Sequence, residues 1–383
     1  MDLTLSPEHR QIRDTARMFV EREVLPYARE WDRAEEMDRG IVQKLAELGF
    51  LGGPIPTEYG GAGLDHLSYC LIVEEVGKGD SSVRGVISVN VGLVAKTILK
   101  WGTEDQKRRW LPGLCSGESL GCYALTEPGS GSDAAALTMK AERDDGSWIL
   151  SGTKMFITNG AWATHALVFA RTGEDGPKGI TCFVVETAAD GFSTTPVKGK
   201  LGLRAQDTAE LILDGVRVPD ENRLGGEGEG FKVAMSALDN GRMSLASGCV
   251  GIAQGCLEAS VAYAKERETF GGPIARYQLI QELLADMAVE TEAARLLVWK
   301  VAALADAGKN HTLESSHAKY FASEVAVRAA NAAVQIFGGY GYIDEYPVGK
   351  YLRDARVTTL YEGTSQIQKL IIGRALTGEN AFS

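Results

Sequence analysis

The sequence predicts an α+β protein with an N-terminal helical domain, a central antiparallel β domain and a C-terminal four-helix-bundle domain. Apolar residues recur every three or four positions up to about residue 120 and again from residue 231, a spacing typical of helices. Between these regions, short segments rich in β-branched residues are separated by Gly, Pro and Asp, which indicates strands. We therefore place the domains at residues 1–120, 121–230 and 231–383.

The N-terminal domain opens with a strong helix-start signal. Ser6 can cap the helix, Pro7 suits its first position and Glu8 places an acid in its first turn. One apolar face then follows at helical spacing, made of Ile12, Ala16, Phe19, Val20 and Val24. A second, buried helix is predicted over residues 80–100.

The central and C-terminal domains differ in the spacing of their apolar residues. Strands are predicted at 148–157, 166–170, 179–186 and 209–218, and Asp214-Gly215 between apolar runs predicts a hairpin turn. Farther along the chain, apolar positions from Leu279 to Leu304 fit one long helix, and residues 313–337 fit another.

Composition argues against several classes of protein. The 383 residues carry a formal net charge of −11 without a basic block, which disfavours nucleic-acid binding. Six scattered cysteines without a C-x-x-C pair predict neither a metal cluster nor a disulfide framework. We find no apolar run of the ~18–20 residues that span a bilayer, and we expect no membrane partner. The opening MDLTLSPEHRQIRD lacks targeting features, so we expect a cytoplasmic location, or the mitochondrial matrix if the chain is processed.

One carboxylate occupies an unusual place near the C-terminus. Glu362 stands between Tyr361 and Gly363, directly before an apolar run at helical spacing. Two interpretations remain open at this point. Glu362 is either a solvated residue at a helix start or a base directed into a pocket.

Three other segments suggest ligand binding, although each also has an ordinary structural explanation. The loop Tyr123-Ala-Leu-Thr-Glu-Pro-Gly-Ser-Gly-Ser-Asp133 combines hydroxyls with glycines that let backbone N–H groups approach a ligand. Phe156 and Thr158 share one side of a predicted strand, where they either flank a flat heterocycle or pack normally. The run Gln335-Ile-Phe-Gly-Gly-Tyr-Gly-Tyr342 holds more glycines than a helix stop requires.

Taken together, five motifs resemble those of the acyl-CoA dehydrogenase family. They occur in the family's order over essentially the whole chain, and they read YALTEPGSGSD, GTKMFITNG, RETFGGPIARYQLIQ, QIFGGYGY and YEGTSQIQ. The resemblance implies a flavoenzyme with FAD that oxidises a saturated acyl-CoA to the trans-2-enoyl-CoA and passes electrons to an electron-transfer flavoprotein. It also implies a homotetramer built as a dimer of dimers.

The resemblance further assigns the reaction to particular groups. Glu362 is implied as the base that removes the α-proton. The backbone N–H of Glu362 and a ribityl hydroxyl are implied as donors to the enolate oxygen, and the β-hydrogen leaves as hydride to flavin N5. Such chemistry needs a desolvated, positioned carboxylate and preorganised donors.

Cofactor contacts are implied for residues in all five motifs. These are Tyr123, Leu125, Thr126, Gly131, Ser132, Phe156, Thr158, Arg267, Phe270, Gln278, Gln335, Gly338, Gly339, Thr364 and Gln366. The family often has Trp where this chain has Phe156. Some of these contacts are implied to reach FAD across a subunit interface.

Substrate contacts are implied for Ser132, Asp239, Arg242 and Gly363, where Gly363 would leave room for the thioester. An ion pair between Asp239 and Arg242 at i, i+3 is the structural alternative. In the isovaleryl-type and long-chain-type members the catalytic Glu stands at the position of Gly241. Because this chain has Gly there, Glu362 is the matched base, and we expect a short-chain, medium-chain or short branched-chain enzyme.

Arg84 does not suit a plain alkyl pocket. It stands four residues before Ser88 on one helical face, as in glutaryl-type members, where this pair holds the distal carboxylate of the substrate. The alternative is an Arg paired with Asp80 or another acid. An oxygen-using oxidase and a catalytically inactive scaffold are the remaining readings. The family's oxidases are usually longer, and we expect no extra C-terminal domain here, while an intact Glu362 argues against the scaffold.

Overall fold

The computed structural model describes residues 4–381, in which helical regions flank a β-sheet. The helices are α1 (Pro7–Glu23), α2 (Ala28–Ala34), α3 (Ile41–Glu47), α4 (His66–Gly79), α5 (Ser81–Ile87), α6 (Lys96–Trp101), α7 (Glu104–Ser116), α8 (Gly230–Glu266), α9 (Gln278–Asp306), α10 (Thr312–Phe337), α11 (Val348–Thr358) and α12 (Ser365–Thr377). The strands are β1 (Gly121–Ala124), β2 (Lys140–Asp144), β3 (Ser147–Thr158), β4 (His165–Arg171), β5 (Ile180–Glu186), β6 (Phe192–Pro196), β7 (Thr208–Pro219), β8 (Arg223–Leu224), β9 (Glu268–Thr269) and β10 (Gly272–Pro273). The predicted fold class is confirmed.

Helix α1 begins where its sequence signals predict. The Ser6 hydroxyl accepts a hydrogen bond from the His9 N–H at 3.1 Å, and Pro7 occupies the first turn. The helix buries Ala16, Phe19 and Val20 in a core shared with α4 and α8. A local cap and an apolar face therefore position this helix together.

The predicted helix over residues 80–100 is present, with a change of geometry in its middle. Asp80 caps α5 by accepting from the N–H groups of Ser82 and Val83. A π-helical segment, Ser88–Ala95, then separates α5 from α6. Long π-helical insertions are rare and often occur at functional sites.

Within residues 4–381, two helical stretches have the length and composition of a membrane span, contrary to our sequence expectation. They are Ser81–Trp101 and Gly230–Glu266. Most of each apolar stretch is buried inside the protein, and both contribute to the hydrophobic cores. Their hydropathy is thus accounted for by core packing.

The sheet has the order β6-β7-β3-β2-β4-β5-β8, and β1 pairs with β4. Its pairs are antiparallel except for β1–β4 and the single β2–β4 bridge, which are parallel. The long strands β3 and β7 form its longest ladder. Buried side chains of β4 and β5 alternate between two further cores. One is shared with the π-helical segment and the start of α8, and the other lies within the sheet.

The predicted hairpin at Asp214-Gly215 is wrong, because β7 runs through it without turning. Between the pairs Leu150–Val216 and Gly152–Leu213, β7 contains one more residue than β3. Gly215 has φ +68°, so the dipeptide forms a bulge of the kind that uses a left-handed glycine. A second irregularity, between Lys154 and Ile157, lies in β3.

The C-terminal helices form the predicted bundle. Helices α8, α9 and α10 pack against one another, and α11 and α12 pack on α10. The two long helices predicted from apolar spacing correspond to α9 and α10. Helix α4 also packs on α8 and α9, which joins the N-terminal helices to the bundle beside the segment that holds Glu362.

Candidate active site

Glu362 lies in a strained turn between α11 and α12. Its φ is +55°, and Gly363 follows at +88°. A non-glycine residue in the left-handed region persists only where its surroundings determine the conformation. Here the Glu362 carbonyl accepts from Gln368 Nε2 at 3.2 Å and Arg242 Nε at 3.4 Å. The Gly363 carbonyl accepts from Lys319 Nζ at 2.7 Å and Gln368 Nε2 at 3.1 Å.

The Glu362 carboxylate is desolvated on one side. Its Oε2 atom is buried and has no hydrogen-bond partner within residues 4–381. Burial raises the pKa of this carboxyl to about 7, while Arg84, Lys319 and Arg242 lower it. The residue is therefore not a solvated helix-start acid, and its protonation changes near neutral pH.

Gly241 on α8 faces this carboxylate. A Cβ atom at position 241 would lie 2.3 Å from Glu362 Oε2 and 2.6 Å from Leu93 Cδ2. Only glycine therefore leaves the carboxylate in its present place. Because the two positions approach so closely, a side-chain carboxylate attached at position 241 or at position 362 can occupy the same place in the fold.

Gly363 is required for a reason other than the one expected. A Cβ on Gly363 would lie 2.6 Å from Gln368 Nε2, and its φ of +88° favours glycine. The glycine thus makes room for the Gln368 amide that holds the turn. Room for a thioester beside it stays a prediction.

Arg84 is buried and forms no ion pair with an acid among residues 4–381. Its Nη2 donates to the Tyr361 hydroxyl at 2.7 Å and its Nη1 to Ser88 Oγ at 3.3 Å, while its Nε is buried without an acceptor among the described residues. The expected pairing with Asp80 is wrong, since Asp80 lies 2.9 Å from Lys350 Nζ. Arg84 thus brings an unpaired positive charge toward Glu362.

A chain of buried hydroxyls continues from Arg84. Ser88 Oγ accepts from Ser244 Oγ at 2.7 Å, and Ser244 Oγ lies 3.0 Å from the Tyr69 hydroxyl. Sequence reasoning did not identify Ser244 or Tyr69 as part of a polar network. The available signal was a hydroxyl on an otherwise apolar stretch of α8.

Asp239 and Arg242 form the ion pair that was the structural alternative. Arg242 Nη1 lies 3.0 Å from Asp239 Oδ1, and Asp239 Oδ2 accepts from Thr312 Oγ1 at 2.6 Å. Arg242 also reaches the Glu362 carbonyl. The pair therefore supports the turn directly, and its contact with substrate stays a prediction.

The β-domain residues predicted to bind a cofactor lie on neighbouring segments. Tyr123 donates to the Ala234 carbonyl of α8 at 3.1 Å. The Thr126 carbonyl accepts from the Met155 N–H at 2.9 Å, which joins the loop after β1 to β3. Phe156 has φ +60° and an exposed ring, and Thr158 Oγ1 accepts from Gln206 at 2.6 Å. Leu125 is buried, whereas Gly131 and Ser132 are exposed.

A buried ion pair that sequence reasoning missed holds this loop in place. Lys154 Nζ lies 2.8 Å from Glu127 Oε1 and donates to the Leu125 carbonyl at 3.1 Å. Glu127 also accepts from the N–H and hydroxyl of Thr138 and from the Met139 N–H. The pair fixes residues 125–139 against β3, next to Phe156. The signal for it was a lysine inside an otherwise β-forming run.

A second group of predicted residues surrounds a separate cleft of about 490 Å³. Arg267, Gly338 and Gly339 line it together with Tyr263, Phe337 and Tyr340. The Arg267 guanidinium lies 5.5 Å from the centre of the Tyr340 ring. Phe270, Gln278 and Gln335 are exposed nearby in the sequence. One chain thus does not bring this group together with Glu362.

Thr364 and Gln366 flank the start of α12. Thr364 Oγ1 accepts from the Ile367 N–H at 3.2 Å, so Thr364 caps the helix. Gln366 is exposed. The cap is a structural role that exists without any ligand, and a cofactor contact for either residue stays a prediction.

Comparison with known proteins identifies the family. Three family models match in order: the acyl-CoA dehydrogenase N-terminal domain at residues 6–118, the middle domain at 122–216 and the C-terminal domain at 228–377. The chain belongs to the acyl-CoA dehydrogenase family. It is therefore an oxidoreductase and a member of a family of flavoproteins.

Relatives of this family member cover nearly its full length. A mitochondrial short-chain specific acyl-CoA dehydrogenase of Rattus norvegicus is 45% identical over 96% of this chain and 90% of its own. Many solved structures are similar to this chain, among them the following three. A chain from a study of the electron transferring flavoprotein of Acidaminococcus fermentans has a TM-score of 0.97 and 44% identity, over 99% of this chain and 100% of that chain. Butyryl-CoA dehydrogenase of Megasphaera elsdenii has a TM-score of 0.96 and 42% identity, over 98% of this chain and 100% of that chain. Glutaryl-CoA dehydrogenase of Mycobacterium smegmatis has a TM-score of 0.95 and 40% identity, over 99% of this chain and 97% of that chain.

Proposed function

We propose that this chain is an FAD-dependent dehydrogenase that oxidises a short-chain acyl-CoA to the trans-2-enoyl-CoA. The observation that carries the proposal is the Glu362 carboxylate, whose Oε2 atom is buried, has no hydrogen-bond partner within residues 4–381 and is held on a strained turn. The similarity to short-chain and butyryl-CoA dehydrogenases supports the substrate class.

Glu362 has the properties that removal of an α-proton requires. The proton beside a thioester is weakly acidic, so the base must be desolvated and aligned. A base whose pKa is about 7 combines a large carboxylate fraction with useful basicity at neutral pH. Arg84, Arg242 and Lys319 surround it without forming an ion pair within 4 Å, so its oxygens stay available.

The backbone of the same residue suits the developing enolate. Within residues 4–381 the Glu362 N–H donates no hydrogen bond, although its carbonyl accepts two. An N–H that is fixed and unpaired in a desolvated site can stabilise negative charge on a thioester oxygen. The turn would therefore supply both the base and a donor.

The residues present fit FAD. The exposed Phe156 ring provides a flat apolar surface, and a Cβ at Gly131, Gly338 or Gly339 would meet no atom within 4 Å. Arg267 has no acidic partner in the described chain and lines the cleft, and a planar guanidinium suits a diphosphate. Tyr123, Thr126, Ser132 and Thr158 would hold the ring side. Bound FAD supplies the acceptor for the β-hydrogen as hydride.

We also propose a homotetramer that passes its electrons to an electron-transfer flavoprotein. Phe270 is 93% exposed, Leu279 75% and Val289 70%. Phe270 precedes α9, and Leu279 and Val289 lie on it, so this part of the chain presents apolar surface that suits a protein interface. The similarity to a chain studied with an electron transferring flavoprotein supports the electron acceptor.

An anaerobic visible spectrum tests the proposed function. The purified holoprotein should be yellow, and butyryl-CoA should bleach the flavin absorbance, whereas glutaryl-CoA should not. Bleaching by glutaryl-CoA in preference to butyryl-CoA would replace the proposed substrate class. A protein that binds no flavin would contradict the proposal as a whole.

A glutaryl-type dicarboxylyl-CoA dehydrogenase is a second candidate, favoured by Arg84. A buried guanidinium whose Nε is free and which has no acidic partner within residues 4–381 matches the charge of a distal carboxylate, and Ser88 Oγ accepts from Arg84 Nη1 beside it. The similarity to a glutaryl-CoA dehydrogenase supports the same idea. The alternative is that Arg84 serves Tyr361 and the electrostatics of Glu362.

Replacing Arg84 by Ala separates these roles. If Arg84 acts only on Tyr361 and Glu362, kcat/KM for butyryl-CoA and for glutaryl-CoA should fall by the same factor. Loss of a buried charge pair with a substrate carboxylate would instead lower the glutaryl-CoA value by a further factor of about 30 or more. Steady-state kinetics with both substrates measure the ratio, and Ser244→Ala serves as a control for disturbance of the hydroxyl chain.

The rate should depend on pH through Glu362. Because its carboxyl has a pKa raised to about 7, the carboxylate fraction falls as pH drops below that value. We expect kcat/KM for butyryl-CoA to reach about half its maximum at pH 7, to plateau above about pH 8 and to fall about tenfold per pH unit well below pH 7. A profile that stays flat from pH 5 to 8 would contradict a base with this pKa.

A further inference from the structure

Lys319 is a buried lysine that neither the motifs nor the relatives assign to a role. It lies on α10 between the core residues Ala318 and Ala322, with no exposed surface. Its ammonium donates to the Gly363 carbonyl at 2.7 Å. Within residues 4–381, no carboxylate oxygen lies within 4 Å of this ammonium.

The absence of an ion pair distinguishes Lys319 from Lys154 and Lys350. Lys154 lies 2.8 Å from Glu127, and Lys350 lies 2.6 Å from Asp354. Burying an ammonium without an anion is costly, and burial lowers the pKa of Lys319 to about 8. A fold that only needed to fill this space would do so at lower cost with an apolar side chain.

The groups that face Glu362 explain what such a charge can do. They come from every element around the turn and are Tyr69 on α4, Arg84 on α5, Tyr123 on β1, Arg242 and Cys249 on α8, Lys319 on α10 and the neighbouring Tyr361. Three of these are cations. Arg242 forms an ion pair with Asp239, whereas Arg84 and Lys319 form no ion pair with any described residue. Glu324 on α10 acts on Lys319 only from a longer distance.

We propose that Lys319 is a positioning residue for the base. Its ammonium fixes the Gly363 carbonyl, and with it the left-handed turn at 362–363, and it holds an unpaired positive charge behind the Glu362 carboxylate. The proposal rests on the proposed role of Glu362. Gln368 donates to the same carbonyl but is neutral, so anchoring and charge are separable on this chain.

Two variants separate anchoring from charge. Lys319→Met removes the donor and the charge, whereas Lys319→Gln removes the charge and retains a donor. Both holoproteins would be titrated by infrared spectroscopy, in which the carboxyl band of Glu362 is identified by its loss in Glu362→Gln. The pH profiles of kcat and KM for butyryl-CoA would be recorded beside them. Ser323→Ala, a buried hydroxyl bonded within α10, is the matched control.

We expect the pKa of Glu362 to rise by about one unit in both variants. At pH 7 and below, kcat should then fall, by up to about tenfold, while KM stays within about twofold. At high pH the charge of residue 319 no longer affects the protonation of Glu362. There kcat of Lys319→Met should still be lower than that of the wild type, because the turn at 362–363 has lost a hydrogen bond. Lys319→Gln should recover that part, and Ser323→Ala should behave as the wild type.

An unchanged Glu362 pKa and pH profile in either folded variant would overturn the proposal. If Lys319→Met does not fold, Lys319→Gln alone decides the question by the same criterion. The infrared titration needs no substrate. It therefore tests Lys319 even if butyryl-CoA fails to reduce the wild type, an outcome that would overturn the proposed function and not the electrostatic role of Lys319.

Discussion

Glu362→Gln should bind butyryl-CoA and fail to reduce the flavin. The amide keeps the shape of the side chain but cannot accept a proton, so the base contribution of about 10²–10⁴-fold is lost. The turn should persist, because its hydrogen bonds involve the carbonyls of Glu362 and Gly363. Anaerobic stopped-flow absorbance measures the rate, and equilibrium titration measures binding.

A neutral change at an exposed acid provides the control for this variant. Glu345→Gln lies on an exposed loop and should be reduced at the wild-type rate. Reduction of Glu362→Gln at the wild-type rate would remove Glu362 from the mechanism. Loss of acyl-CoA binding would instead mean that the carboxylate shapes the pocket.

Lys154→Met should have the largest effect on stability. The change leaves Glu127 buried without its cation at 2.8 Å, and breaking a buried pair from one side costs about 3–5 kcal/mol. Because the pair holds residues 125–139 against β3, FAD should also be retained less well. Urea unfolding of the holoprotein, followed by circular dichroism, measures the change, and flavin fluorescence reports release of the cofactor.

Two further variants test whether the ion pair is the cause. Lys232→Met breaks an exposed pair with Glu229 and should cost less than about 1 kcal/mol. Glu127→Gln combined with Lys154→Met removes both charges and should be more stable than Lys154→Met alone. If Lys154→Met unfolds at the urea midpoint of the wild type, the ion pair contributes little to stability.

Local patterns predicted most of the architecture, because each helix and strand contains its own signals. Ser6 and Pro7 define the start of α1, and apolar spacing alone places α9 and α10. The dipeptide Asp214-Gly215 misled the prediction, because the left-handed glycine of a hairpin turn also serves a bulge inside a continuous strand. The pairing partner, which decides between them, is remote in the sequence.

The candidate site was predictable at its centre and less so around it. Glu362 was identified from one motif, and the spacing of Arg84 and Ser88 correctly placed these two in contact. The partner of Asp80 could not be predicted, since Lys350 lies far along the chain. Lys319 and Lys154 were missed because their anchors, Gly363 and Glu127, become neighbours only in the folded protein. The available signals were a lysine inside a β-forming run for Lys154 and a lysine among small residues on one helical face for Lys319.

Exchange of the α-hydrogens with solvent tests the central claim most directly. (Methylthio)acetyl-CoA has sulfur at the β-position and no β-hydrogen, so deprotonation can be followed without oxidation. In D₂O at pH 8, the wild type should exchange the α-hydrogens of the analogue for deuterium, as measured by mass spectrometry. The Glu362→Gln variant should not. Exchange at the wild-type rate in Glu362→Gln, with the analogue bound, would show that another group removes the proton.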